Sequence, residues 1–452
     1  MNIMIAGCGK VGKSIAMRLC EEDHQITVID IDENALSSVT NSLDVMGYHG
    51  DCTSIQTLQE AGIKDTDLLI TVTSDDEKNM LTCLIARKAG GCQTIARVRS
   101  PQYAEDIKYI KEDLGLSMSI NPEMVAAEEM LRLIQIPSAF EVDTFAKGRV
   151  NLISFVVPAG SLLDGLQLKN LHSKIGMNAL ICIAERNGKV VIPGGNFVIE
   201  AGDKISVTLA LVDVNTFFNK VGIKTKPIKN VLIAGGGTMS YYLANKLGTQ
   251  KVGVKLVEKR PDRADELAEK LPKAMIICGD ATDKSLLAEE SLDEMDAICA
   301  LMNEDEENII LSLYANKYTN AKMMTRLHRD SYEEIVSELP VGHIISTKKI
   351  TADYITRYIR SMQNTMGSDV ETLYRMMDGA ALGLEFNIRA GFPGAGKSLK
   401  DLPIIDGTLI CCINRNGKII RPGGNDTMEV GDSVVIVTTH KGLKSLDEII
   451  RR

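Results

Sequence analysis

Ile3-Met4-Ile5-Ala6-Gly7-Cys8-Gly9-Lys10-Val11-Gly12 joins a short apolar run to three glycines at G-x-G-x-x-G spacing, and a helical pattern follows from Lys10. In a strand–turn–helix unit the first glycine permits the tight turn, and the second lets the backbone approach a pyrophosphate. The third lets helix and strand pack closely, while the helix N-terminus offers free N–H groups to the phosphates. Asp30 ends the next apolar run and is placed to accept hydrogen bonds from ribose hydroxyls. The stretch therefore predicts a Rossmann-type nucleotide site on a parallel sheet.

The same pattern returns. Ile3–Gly9 reappears as Val231-Leu232-Ile233-Ala234-Gly235-Gly236-Gly237, at an offset of 228 from Gly7 to Gly235. Gly50-Asp51 matches Gly279-Asp280, Ser74–Asn79 matches Asn303–Asn308, and Arg97 matches Arg326, all at an offset of 229. Beyond the glycine-rich parts, Arg186-Asn187-Gly188-Lys189 returns as Arg415-Asn416-Gly417-Lys418, and Pro193-Gly194-Gly195-Asn196 as Pro422-Gly423-Gly424-Asn425. Such periodicity marks a tandem duplication of almost the whole chain.

Within each repeat the first part alternates apolar strands with helical stretches: strands at Asn2–Ala6, Ile26–Asp30, Val45–Gly47, Asp67–Thr73 and Thr94–Val98, and helices starting at Lys10, Glu33, Ser54, Asp76 and Gln102. That order means βαβ units and a parallel, doubly wound sheet. The second part is a small β-rich module with strands at Asn151–Val157, Ala179–Ala184, Lys189–Ile192 and Lys204–Leu209 and a tight turn at Asn187-Gly188. The expected fold class is α/β: two Rossmann-like doubly wound parallel-sheet domains, each followed by a small β-rich α+β domain. Boundaries near Pro137-Ser138, in the lysine-rich linker 224–229, and near Gly367-Ser368 give expected domains at 1–138, 139–223, 228–366 and 368–452.

Bulk properties narrow the function classes. The net charge of −9 argues against nucleic acid as a partner. No run approaches the roughly 18 apolar residues of a membrane span, and Lys10 and Lys13 interrupt any leader-like region, so a soluble cytoplasmic chain is expected. The ten cysteines include no C-x-x-C pair and fit reduced thiols.

Several local patterns invite other readings. Gly391-Phe392-Pro393-Gly394-Ala395-Gly396-Lys397-Ser398 fits the P-loop pattern, but it falls in the β-rich module, and its counterpart in the first repeat has Leu166 and Gln167 in place of Lys397 and Ser398. Asp75-Asp76-Glu77 and Glu304-Asp305-Glu306-Glu307 start helices, where carboxylates cap and face solvent, and no metal site is expected from them. Cys411-Cys412 lies in a strand that should point the two thiols to opposite faces. Methionine pairs such as Met323-Met324 read as core fillers, and the six histidines form no constellation suited to hydride chemistry.

The glycine fingerprint with Asp30, together with Tyr48-His49-Gly50-Asp51, Thr71–Glu77 and Ile95-Ala96-Arg97-Val98-Arg99-Ser100-Pro101, resembles the RCK (or KTN) domains of Trk-type regulators of potassium conductance over nearly the full length. The resemblance implies a non-catalytic gating role in which NAD(H), ATP or ADP acts as a regulatory ligand. It also implies a homo-oligomer, dimer or tetramer, attached to the inner face of the membrane through a TrkH-type potassium-translocating partner. By the same resemblance the first site comprises Gly7, Cys8, Gly9, Lys10, Val11, Gly12, Asp30, Asp51, Cys52, Thr73 and Arg97. The second comprises Gly235, Gly236, Gly237, Thr238, Met239, Glu258, Asp280, Ala281 and Arg326. Ser240 stands at the third glycine and Leu301-Met302 replaces Val72-Thr73. The competing readings are an NAD-dependent oxidoreductase and a nucleotide-sensing module unrelated to ion transport.

Overall fold

β1 (Asn2–Ala6) is buried from Ile3 onward because it lies between two parallel neighbours, pairing Ile3 with Ile26 on one side and with Leu68 on the other. The computed structural model describes residues 1–22, 24–145, 150–223, 226–336, 338–365, 370–377, 379–443 and 445–451. The expected boundary at Gly367-Ser368 and part of the linker 224–229 lie outside the described residues.

In chain order the first N-terminal domain runs β1, α1 (Lys10–Cys20), β2 (Gln25–Asp30), α2 (Glu33–Thr40), β3 (Met46–His49), α3 (Ile55–Glu60), β4 (Leu68–Thr71), α4 (Asp76–Gly90), β5 (Gln93–Arg97), α5 (Pro101–Ile110), β6 (Met118–Ile120) and α6 (Pro122–Gln135). The β-rich module holds β7 (Glu141–Phe145), β8 (Val150–Val156), α7 (Leu171–Ile175), β9 (Leu180–Arg186), β10 (Lys189–Val191), β11 (Lys204–Leu209) and α8 (Val214–Lys220). The second repeat follows with β12 (Asn230–Ala234), α9 (Thr238–Thr249), β13 (Gly253–Glu258), α10 (Pro261–Lys270), β14 (Ala274–Cys278), α11 (Lys284–Glu289), β15 (Ala297–Ala300), α12 (Asp305–Tyr318), β16 (Lys322–Arg326), α13 (Asp330–Val336), β17 (His343–Ile345) and α14 (Thr347–Thr365). It closes with β18 (Val370–Met376), β19 (Ala381–Asn387), β20 (Thr408–Arg415), β21 (Lys418–Ile420) and β22 (Ser433–Thr438).

Both N-terminal sheets have the order 3-2-1-4-5-6, β3-β2-β1-β4-β5-β6 and β14-β13-β12-β15-β16-β17. This is the doubly wound arrangement, whose ligand crevice lies at the carboxyl ends where the order reverses, between β1 and β4. The β-rich modules form antiparallel sheets, β10-β9-β11-β8-β7 and β18-β19-β22-β20-β21. The fold class read from the sequence is the one observed. The strands β6 and β7, short and only partly apolar, and the helix α6 (Pro122–Gln135) are seen only in the structure.

The chain forms two compact units: Met1–Ile134 with Ile228–Thr356, and Gln135–Pro227 with Arg357–Arg452. In the first unit the two Rossmann domains exchange contacts through their last helices. On α6, Glu128 pairs with Lys246, Glu129 lies 3.6 Å from His343, and the Leu133 carbonyl accepts from Lys322 Nζ. Reciprocally, Asp353 of α14 pairs with Arg18 of α1. In the second unit both β-rich modules share one core that includes Phe145, Leu152, Cys182, Met376, Cys411 and Val437. Phe145 and Tyr374 pack with centroids 4.2 Å apart and ring planes tilted by 54°, and Gly383 permits this because a Cβ there would sit 2.6 Å from Phe145 Cζ. The repeated Arg-Asn-Gly segments also have a structural role. Asn187-Gly188 and Asn416-Gly417 take positive φ in hairpin turns, while Arg186 and Arg415 grip buried Asp203 and Asp432 with two donors each.

Three local expectations need correction or refinement. The P-loop-like residues lie in a loop after the antiparallel strand β19 and lead to a single 3-10 turn, Leu399–Asp401, so no helix receives a phosphate. A β-bulge at Cys411 breaks the strand period, so Cys411 and Cys412 enter the same buried core instead of opposite faces. Asp75 caps α4, but Asp76 and Asp305 do not face solvent; each is buried and accepts from backbone N–H groups of the segment that follows its neighbouring strand. No group of three or more metal-ligating side chains occurs among the described residues.

Gly12 is fixed by packing, since a Cβ there would lie 1.8 Å from the Gly7 carbonyl oxygen, whereas a Cβ on Gly9 meets nothing within 4 Å. Gly12→Ala is therefore expected to destabilise the first unit by roughly 1–3 kcal/mol. Gly9→Ala should leave its unfolding midpoint unchanged while weakening nucleotide binding, and denaturant unfolding beside ligand titration separates the two effects.

Candidate functional site

The first crevice is built by backbone geometry before any side chain takes part. Gly7 adopts φ +107°, and a Cβ there would be 3.0 Å from the Thr73 nitrogen, so the β1–α1 turn touches the β4–α4 turn. Gly9, the residue before α1, faces open space, which leaves room for a phosphate at the helix N-terminus. Asp30 closes one wall; its Oδ2 accepts from Cys8 N–H and its Oδ1 from Asp32 N–H at 2.9 Å.

A cavity of about 690 Å³ opens here, in the size range of small-molecule sites. Gly7, Gly9, Lys10, Val11, Asp30, Asp51, Cys52, Thr73 and Arg97 from the sequence reading all line it. Gly12 acts from behind through its contact with Gly7, and Cys8 through its N–H to Asp30. Asp51 is held below the usual carboxylate range by the Thr53 backbone N–H and hydroxyl, so it meets a ligand as an anion. The Cys52 thiol is pushed up by burial and accepts from Thr82 Oγ1, a packing role and not that of a nucleophile. Asn79 ties the far wall together: its Oδ1 accepts from Thr73 N–H and Oγ1, and its Nδ2 donates to the Arg97 carbonyl at 2.9 Å.

The cavity also contains residues that the sequence reading missed or assigned elsewhere. Lys78, Arg99 and Glu123 join from the first copy, and Arg326, His328 and Lys348 from the second. Arg326 was expected at the second fingerprint; the fold places it in the wall of the first cavity. Burial lowers the pKa of both Arg97 and Arg326, Arg99 adds to the shift at Arg97, and Glu123 opposes it at both. Arg97 donates to the Thr73 carbonyl, while the Nε atoms of Arg97 and Arg326 have no hydrogen-bond partner among the described residues. His328 is oriented by Asp305, whose Oδ1 lies 2.8 Å from Nδ1, and the His328 carbonyl accepts from Lys348 Nζ. Only the repeat match between Arg97 and Arg326 hinted at this convergence.

The second fingerprint keeps the backbone and changes the side chains. Gly235 repeats the positive φ of Gly7, at +96°. Ser240 is fully buried where Gly12 stands, and its Oγ has no hydrogen-bond partner among the described residues; Met239 and Ala281 are buried as well. Glu258 accepts from Gly236 N–H at 2.8 Å and from Arg260 N–H at 3.0 Å. Burial pushes its pKa up, but the Arg260 and Gly236 N–H groups outweigh burial and keep it ionised. Asp280 pairs with Lys259 at 2.7 Å and is held down to about 2 by that bond and by Thr282. Thr238 opens α9 and Gly237 precedes it, as Lys10 and Gly9 do in the first copy.

Fold and fingerprint thus define a duplicated Rossmann protein whose nucleotide-type crevice is shared between its copies. Residues 3–122 and 231–347 match the family model described as the TrkA-N domain, and residues 152–222 and 384–451 match the TrkA-C domain. The chain is 32% identical to the Trk system potassium uptake protein TrkA homolog of Archaeoglobus fulgidus, with all of both chains covered. It is 30% identical to the Trk system potassium uptake protein TrkA of Haemophilus influenzae over 99% of this chain and 98% of that one. The chain belongs to the TrkA family. In fold it is also similar to the GsuK RCK domain, with a TM-score of 0.63 at 15% identity over 99% of this chain and 93% of that one. The GsuK channel bound to NAD gives a TM-score of 0.63 at 15% identity over 99% and 78%. Among the described residues no helix is long and apolar enough to cross a membrane.

Burial pushes the His328 imidazole below its ordinary value, Arg326 adds to this, and the Asp305 hydrogen bond opposes it. A histidine depressed in this way contributes stability that is present above its unfolded value, about 6.5, and is lost as pH falls through the lower folded value. A bound anion favours the imidazolium and reverses that trend. Affinity for any nucleotide whose phosphates keep constant charge is expected to rise several-fold from about pH 7.5 to about pH 6. His328→Gln should flatten the dependence in calorimetric titrations.

Proposed function

We propose that the chain is a cytoplasmic, nucleotide-responsive gating subunit of a Trk-type potassium-uptake system, and that the first cavity is its sensor. One observation carries this reading. Carboxylates suited to ribose, Asp30 and Asp51, and cations suited to phosphate, among them Lys10, Arg97 and Arg326, line one cavity at the carboxyl end of a doubly wound sheet. The family supplies the setting: curated relatives that match over the full length are Trk system potassium uptake proteins, and solved relatives in fold were determined with NAD or ADP bound. NAD(H), ADP and ATP are the ligands proposed for this chain, and a TrkH-type membrane subunit its partner. A homo-oligomer would bring several such sensors to one membrane subunit.

The mechanism is a population shift. The adenosine end meets residues of the first copy, and the phosphates meet cations from both. A ligand therefore has different affinities for two arrangements of the copies, and that difference bounds how far it can shift them. Nucleotides of different length and charge would favour different arrangements and so affect flux in opposite directions.

The test is potassium flux in vesicles that hold the membrane subunit with and without this chain. Flux is expected to differ between ADP and ATP or NADH within the roughly 5–150-fold range of allosteric coupling. Asp30→Ala should abolish the difference while leaving the complex assembled. Flux indifferent to both the chain and the nucleotide would overturn the proposal.

A further inference from the structure

The two fingerprints share a backbone and keep Asp30 and Glu258, Asp51 and Asp280, and Arg97 and Arg326 as like charges, but the second gains cations on the ribose side and loses them on the phosphate side. On the ribose side the first copy presents Ile31, Asp32 and Ala35 to the cavity. The residues at the same offset from the second glutamate are Lys259, Arg260 and Arg263. All three are bound to their own copy. Lys259 pairs with Asp280 at 2.7 Å, and Arg260 Nε lies 3.1 Å from Glu258. Arg263 Nε donates to the Gly236 carbonyl at 3.0 Å and its guanidinium also pairs with Glu266. The side chains that would meet a ribose are thus already engaged by internal partners.

On the phosphate side the second copy has lost three of its four cations. Lys10 becomes Thr238, Lys78 becomes Glu307 and Arg99 becomes His328. The guanidinium it retains, Arg326, lines the first cavity together with His328. The contribution across the copies is one-sided as well. Lys348, just past β17, lines the first cavity, whereas the residue equally far past β6 is Glu123, a carboxylate. Where the first copy has Ser14, the second has Tyr242; it is almost fully buried, with its hydroxyl 3.0 Å from Asn121 Nδ2 and 3.5 Å from the Arg99 carbonyl. The phenol therefore fills the contact between α9 and the first copy, where α1 offers only a small side chain.

We propose that the chain binds one nucleotide, not two: Arg263 closes the second fingerprint from within, Tyr242 fixes α9 against the first copy, and the second Rossmann domain serves as the phosphate-reading half of the first site. This rests on the nucleotide-binding reading above and narrows it. The second copy keeps Gly235 because the strand–helix turn needs it, as its positive φ shows. Its charge now serves a ligand bound next door. Duplication thereby produces a sensor with one ligand and two differently charged jaws in a single chain.

The experiment is equilibrium dialysis of ADP and of NAD⁺ against the full-length wild-type protein, counting ligand per chain at saturation. About one equivalent is expected, abolished by Asp30→Ala and unchanged, with affinity within about twofold, in Glu258→Gln. Two equivalents per chain, or loss of one equivalent in Glu258→Gln, would overturn this inference and leave nucleotide sensing standing. No binding to the wild type would overturn both. The wild-type count needs no variant to fold, so the inference stays exposed to refutation.

Discussion

Two guanidinium groups, Arg97 and Arg326, are held largely out of water and both feel the charge of one carboxylate, Glu123, and the rest of the site follows from that arrangement. Arginine cannot shed its charge at any accessible pH, so its burial costs free energy unless a counter-charge is near. Glu123 supplies part of it, and the Thr73 carbonyl takes one donor of Arg97. The Nε atoms of both remain unpartnered. An anion entering the cavity completes the charge balance, and because the two arginines belong to different repeats, its binding energy falls on the contact between them. This links ligand chemistry to the arrangement of domains with no moving part beyond the two copies.

The scaffold that enforces the arrangement is generic. Six parallel strands in the doubly wound order bring Gly7, Asp30 and Thr73 together at the carboxyl edge. The exchanged contacts of α6 and α14 then bring the end of β16 to the same place. Asn79 and Asn308 repeat one structural device, each linking the turn after the fourth strand to the end of the fifth. Shared backbone supports leave the two sites free to diverge in their side chains, as they have at Lys10 and Thr238 and at Ala35 and Arg263.

Much of this was legible in the sequence because it rests on local rules. The glycine spacing, the acidic end of β2 and the repeat offset gave the fold class, the duplication and most of the first cavity. What failed has physical causes. The bulge at Cys411 shifts register by one residue, which strand periodicity cannot register in advance. Asp76 and Asp305 look like solvated helix starts, yet they are buried by the segment that folds over them. Arg326 was assigned to the copy it belongs to in sequence, since only packing between the copies shows where its guanidinium goes. For the same reason His328 and Lys348 carried no signal; neither lies in a motif, and both reach the first cavity across the interface.

The most direct test is the affinity of AMP, ADP and ATP for the wild type and for Arg326→Gln, measured by calorimetry under one salt condition. If the second copy reads the phosphates of a ligand held by the first, the loss on substitution grows with each added phosphate and is small for AMP. A loss equal for all three nucleotides, or none at all, would contradict the shared site.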